Sequence, residues 1–260
     1  MVMTEEIHHT PDMLNRSYSS PEIENQRRLT MAQLAVQAGE DVLDIGCGSG
    51  FLTLELARAV GESGSVDALD ISPEMVDAAL ERCRGMPQVS VSPGDVTELQ
   101  KPPGSYDAVT CTQVLLYVAD VENALARMVR TLRPGGRLAV LETDWRGVVM
   151  NSGYPELTDA VFRAWDDAVP SPNLPVRLHR LMRVAGLEDI RVTAIPLLNT
   201  EYDPGLFSVS TLDWMGSNAV RRGAVSREES RKWQDDLESL GREGDYLFCV
   251  NRFLFIGRRP

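Results

Sequence analysis

Closely spaced cysteines are missing from this chain. Cys47, Cys83, Cys111 and Cys249 are scattered, which excludes a zinc ribbon or a CxxC redox motif and leaves free thiols in a reducing cytoplasm as the expectation. Histidine is equally sparse. His8, His9 and His179 form neither HExxH nor a clustered ligand set, so no metal is expected. No stretch approaches about 18 uninterrupted apolar residues, so no membrane-spanning helix is expected. The first residues carry Glu5 and Glu6 and no apolar segment, unlike a secretory signal. Basic runs are absent too, and 26 Lys and Arg against 38 Asp and Glu give a formal charge of −12. That balance argues against nucleic acid as a partner, because phosphate contacts need clustered cations. With internal repeats and low-complexity tracts also lacking, what is left is an ordinary globular composition of 260 residues, 43% hydrophobic. It is enough for one large α/β domain with an elaboration.

What is present centres on Val42-Leu43-Asp44-Ile45-Gly46-Cys47-Gly48-Ser49-Gly50-Phe51. An apolar run ends in an acid, three alternate glycines follow, and an amphipathic helix pattern begins. This reads as a buried strand, a tight turn and a helix start, the unit where open α/β sheets bind ligands. A dinucleotide fingerprint, GxGxxG, would place its third Gly where Phe51 stands. The Asp44 carboxylate, two residues ahead of the first Gly, would repel a pyrophosphate. It suits a ligand with a cationic amino acid end, and S-adenosylmethionine has one.

Strands are expected over 41–46, 65–70, 88–92, 106–112, 137–142, 190–195 and 246–257. Helices are expected from Pro21 to about Gly39 behind a Ser20 cap, then over 49–60, 72–84, 118–132 and 175–185. Residues 205–240 read as helical, with Ser226 and Glu229 as a capping box. Alternation of strands and helices at this spacing implies a parallel sheet covered on both faces. Residues 1–39 read as an N-terminal lid or helical segment, in which Tyr18 is a candidate to close over a ligand. Residues 40–260 form the main domain, with cover insertions at about 146–173 and 196–245. Two more acids stand at strand ends: Asp70 suits the hydroxyls of a ribose, and Asp95, with the Val96 N–H, suits an adenine edge.

The stretches VLDIGCGSG, ALDIS, GDV, YDAVTC and LRPGGRLAVLE, in this order, resemble the successive motifs of class I S-adenosylmethionine-dependent methyltransferases. Within them the chain is similar to the small-molecule group that contains the ubiquinone/menaquinone-biosynthesis C-methyltransferases. The resemblance is strong over residues 40–145. It implies an α/β fold, a Rossmann-like doubly wound seven-stranded sheet of order 3-2-1-4-5-7-6 with strand 7 antiparallel, under a mainly helical cover. It also implies that Asp44, Gly46, Cys47 and Gly48 line the donor's methionine moiety, Asp70 its ribose, and Ile71, Asp95 and Val96 its adenine. Thr112 and Gln113 match positions flanking the amino acid end. The fourth strand lacks the Asn/Asp-Pro-Pro-Tyr/Phe motif of enzymes that methylate base amino groups, carrying Cys111-Thr112-Gln113-Val114 instead.

The function expected is transfer of a methyl group from S-adenosylmethionine, leaving S-adenosylhomocysteine, to O, N or C of a small molecule in biosynthesis or secondary metabolism. The alternatives are a NAD-dependent oxidoreductase and a non-catalytic S-adenosylmethionine-binding regulator. Candidate acceptor contacts are Tyr117, Asp144, Trp145, Arg177 and Trp214. Candidate general bases are Asp144, His9 and His179, although orientation and exclusion of water can carry such a transfer without one. The neighbours of His179 place it towards the side of its helix or solvent. The acceptor's identity and the oligomeric state are open.

Overall fold

The parallel pattern read from the sequence is realised in a single sheet. The computed structural model describes residues 11–260. Seven strands, β1 (Asp41–Ile45), β2 (Ser65–Asp70), β3 (Val89–Pro93), β4 (Tyr106–Thr112), β5 (Leu132–Met150), β6 (Glu188–Asn199) and β7 (Phe248–Arg258), lie in the order β3-β2-β1-β4-β5-β7-β6. The first five pair in parallel, and β7 runs antiparallel between β5 and β6. This is the order and strand sense expected.

Successive strand residues face opposite sides of a sheet, and here both sides are apolar. Leu43, Ile45, Val109, Cys111, Leu138 and Val140 turn to one layer, packed with α5 (Val121–Thr131) and α7 (Pro175–Val184). Val42, Ala108, Ala139 and Leu141 turn to the other, against α2 (Pro21–Leu34) and α3 (Phe51–Val60). Asp44 falls on this second face by the same alternation. A further helix, α4 (Pro73–Arg82), contacts α3 and covers β2 and β3.

Beyond the outer ends of β5 and β7 a separate apolar cluster forms the cover. Here α6 (Pro155–Asp166), α8 (Phe207–Arg221) and α9 (Arg227–Glu243) join the outer ends of β5 and β7, burying Trp145, Trp165, Phe207, Trp233, Tyr246 and Phe248. Trp233 is fully enclosed, and its indole N–H donates to Thr158 Oγ1 at 2.9 Å.

Four local features differ from expectation. Residues 11–18, weakly patterned in sequence, form the helix α1 (Pro11–Tyr18). The helix α2 ends at Leu34 and not at Gly39, because Ala35 takes the left-handed conformation (φ 53°) and closes onto the Met31 carbonyl. Ser20 holds the N-cap position of α2 without a side-chain cap bond, whereas Ser72 caps α4 and Ser226 with Glu229 completes its box. Finally, β5 and β6 run further than predicted, while β7 spans Phe248–Arg258 against the expected 246–257. They supply one another with partners out to Met150↔Phe248 and Asn199↔Phe248, so residues 146–150 and 196–199 are strand and not cover.

Candidate active site

The carboxyl ends of β1, β2 and β4 open into a cavity of 850 Å³ roofed by α1 and α8. Its floor is the glycine turn. Gly46 has φ +67°, and a Cβ there would lie 2.1 Å from Val114 Cγ2, so no other residue fits without displacing the loop after β4. Gly50 has φ +83°, and its missing Cβ lets the start of α3 approach Ala79 of α4. The third glycine therefore does here the close-packing work that a dinucleotide loop assigns to a residue one place later.

Two acids, one buried and one partly buried, brace this turn. Asp44, 2% exposed, accepts Thr53 Oγ1 at 2.6 Å and Thr110 Oγ1 at 2.7 Å. Burial pushes its carboxyl above the ordinary range, against the pull of those two hydroxyls. Asp70 accepts the Gly48 N–H and the Ser72 N–H, each at 2.9 Å, and burial raises it as well. Each carboxylate oxygen has two lone pairs, so both acids retain acceptor capacity. Asp95 caps the turn at Val96–Glu98, with Oδ1 taking the Thr97 N–H and hydroxyl at 2.8 Å. Burial pushes the Cys47 thiol far upwards, which leaves it inert as a nucleophile.

Every residue expected near the donor borders this one cavity: Tyr18, Asp44, Gly46, Cys47, Gly48, Asp70, Ile71, Asp95, Val96, Thr112 and Gln113. Gln113 stands in the left-handed region at φ 57°, unusual for a side chain with a Cβ. Its conformation is held by its N–H on the Leu141 carbonyl (2.8 Å) and by Thr143 Oγ1 on its side-chain oxygen (2.6 Å). Glu142, fully buried and outside the cavity lining, accepts the Val114 and Leu115 N–H groups at 3.1 and 2.7 Å. It fixes the same loop from behind, and burial lifts it to about 8.

The acceptor candidates divide. Tyr117, Trp145 and Trp214 border the cavity, in an aromatic array where Trp165 stands edge-on to Tyr117 (6.3 Å), Trp145 (6.0 Å) and Trp214 (4.9 Å). Asp144 does not: it accepts the Arg146 N–H at the strand's outer end. Arg177 and His179 are exposed on α7, whose buried face is Leu178, Leu181 and Met182, so they stand away from the cavity. His9 and His8 lie outside the described residues.

Three cavity residues escaped the sequence reading. Arg27 donates to Glu55 Oε1 (3.0 Å) and to the Tyr18 carbonyl (2.6 Å), tying α2 to the end of α1. Gln26 accepts from Arg252, the third. Arg252 is 3% exposed, stacks 4.9 Å over the Phe207 ring, and leaves its Nε unpartnered. Burial pulls it down to about 10, so it stays charged at neutral pH. The available signal was a lone Arg in the otherwise apolar run from Tyr246 to Gly257.

Among the described residues, no group of three His, Cys, Asp or Glu is placed to hold a metal, and no helix is long and apolar enough to cross a membrane. Residues 42–136 match the family model of a methyltransferase domain. The chain is 34% identical over 231 residues to an uncharacterized 37.1 kDa protein of transposon TN4556 in Streptomyces fradiae, covering 86% of this chain and 64% of that one. It is 36% identical over 137 residues to the demethylmenaquinone methyltransferase of Lysinibacillus sphaericus, covering 53% and 57%. The chain thus spans about three-fifths of the curated relatives it matches. Among solved structures, phosphoethanolamine N-methyltransferase 2 of Haemonchus contortus in complex with S-adenosyl-L-methionine superposes with a TM-score of 0.63 at 19% identity, covering 96% of this chain and 56% of that one. The protein has the class I methyltransferase fold, and residues 42–136 carry the methyltransferase domain.

Proposed function

We propose that this protein is an S-adenosylmethionine-dependent methyltransferase acting on a small-molecule acceptor. The observation that carries the reading is the set of acids at three neighbouring strand ends, Asp44, Asp70 and Asp95, around a turn that only glycine fits at position 46. A buried acid with no cationic partner among its recorded bonds, as at Asp44, is a poor neighbour for a pyrophosphate. It suits the ammonium end of a sulfonium donor.

When bound, such a donor supplies an electrophilic methyl carbon on a sulfonium that departs as a neutral thioether. The chain's own residues then bind, orient and exclude water. In this reading Asp44 and the backbone of Gly46 to Gly48 take the amino acid end, with Thr112 and Gln113 beside it. Asp70 takes the ribose, and Ile71, Asp95 and Val96 take the adenine. Tyr18 roofs the site, and Tyr117, Trp145 and Trp214 wall the acceptor. Burial raises the Tyr18 and Tyr117 phenols, so at neutral pH both are hydrogen-bond donors and not bases. No histidine borders the cavity among the described residues, which favours transfer by alignment in a dry, aromatic-walled space.

Titration calorimetry with S-adenosylmethionine and S-adenosylhomocysteine, followed by methyl-labelled donor and a panel of phenols, amines and activated-carbon acceptors, tests this. We expect binding of both nucleosides and label on a small molecule. Absence of binding refutes the reading, and tight binding with no transfer to any acceptor class points to a regulator.

A further inference from the structure

Arg252 has no role in holding the donor under the assignment above, and its surroundings do not account for it. A guanidinium carries five N–H donors and a fixed charge. In this structure one Nη1 donates to the neutral Gln26 Oε1, the face stacks on Phe207, and Nε has no partner. Among the described residues no carboxylate pairs with it within ion-pair distance. Taking such a charge out of water is costly unless an anion meets it. Glu142, whose charge also acts on Arg252, spends one oxygen on the loop after β4 and lies outside the cavity lining. Nε is enclosed, but the residue as a whole borders the cavity.

Position along the sheet separates this charge from the donor. The glycine turn ends β1, Gln113 follows β4, and Arg252 pairs with Thr143 of β5 and Ile195 of β6. Neighbouring strands are about 4.8 Å apart, so Arg252 on β7 lies roughly 10 Å from β4 and about 14 Å from β1 across the sheet. It stands on the aromatic, cover-facing side, next to Phe207 and the Trp145–Trp165 pair.

We propose that Arg252 is the recognition point for the methyl acceptor, and that the acceptor is an apolar or aromatic molecule bearing a single carboxylate. The inference rests on the methyltransferase reading above. One buried guanidinium matches one negative charge. A doubly charged phosphate would leave a charge unmet beside Phe207, which stacks on Trp145. Planar carboxylates also fit the guanidinium fork with two parallel bonds.

The test uses the full chain saturated with S-adenosylhomocysteine and calorimetry with five probes: 6-phenylhexanoate, 2-naphthoate, their primary amides, and 2-naphthyl phosphate as the dianion. At least one acid is expected to bind tenfold or more tightly than its amide and than the phosphate. In Arg252→Met that preference falls below twofold, while Arg252→Lys keeps part of it. A purely structural arginine would show itself independently. Met removes the buried charge at similar volume, so the ligand-free variant is expected to melt no lower than the wild type. The proposal is overturned if neither acid binds, if amide or phosphate binds as well, or if the preference survives Arg252→Met. A fall in melting temperature of more than about 4 °C in that variant also overturns it. So does a tenfold loss of S-adenosylhomocysteine affinity, which would return the guanidinium to the donor's site. Failure of the wild type to bind S-adenosylhomocysteine at all is the separate outcome that refutes the methyltransferase reading.

Discussion

Asp70 ties three parts of the site together, because its two oxygens take the Gly48 and Ser72 N–H groups while the carboxylate faces the cavity. Asn in its place presents one acceptor oxygen and one amide that can only donate. Asp70→Asn is therefore expected to weaken donor binding at least tenfold, or about 1.4 kcal/mol, by calorimetry; unchanged affinity would remove Asp70 from the donor site. Acids of this kind were legible in sequence because each closes a readable strand. Arg252 was not, since its place depends on the register of β7 against β5 and β6, two strands distant in the chain. His179 shows the converse: a residue type suited to proton transfer, set by helix periodicity on the exposed side of α7.

Among elements, the turn from β1 to α3 is the most constrained. Gly46→Ala meets both a left-handed φ and a Val114 methyl group at 2.1 Å. We expect a loss of about 3 kcal/mol in stability by denaturant unfolding, with partial recovery in Gly46→Ala/Val114→Ala, where the clash is removed and the φ strain remains. A neutral effect in the single variant would mean the loop after β4 is free to move. Strand and helix order was readable here because the hydrophobic period and the Pro, Gly and Ser punctuation agree from β1 to β4. Where local signals thinned, tertiary pairing decided. Ala35 ends α2 without a glycine. The outer length of β5 exists because β7 offers it a ladder. The helix α1 packs on α2, α4 and α8, contacts its own weak pattern does not announce.

For the molecule as a whole, the buried acids make stability depend on pH. Burial raises Glu142 from 4.5 to about 8, so the folded chain holds this proton more tightly than the unfolded chain does. Its contribution is complete below the unfolded value of 4.5 and is lost as pH rises through about 8. Asp44 and Asp70, also raised by burial, act in the same sense. The melting temperature is expected to decline between about pH 4.5 and about pH 8, and Glu142→Gln, which keeps an acceptor for the loop, to flatten that decline. A profile identical in both proteins would show that Glu142 ionises freely when folded.

The outer lengths of β5, β6 and β7 carry one more consequence. The cover grows from the far ends of the strands whose near ends hold the core, so its ancestry need not follow that of the donor pocket. Substitutions between Trp145 and Phe248 can reshape the aromatic part of the cavity while β1 to β4 stay as they are. The domain model stops at residue 136, short of the cover. The glycine turn and the aromatic wall thus sit on separate supports, joined along three strands.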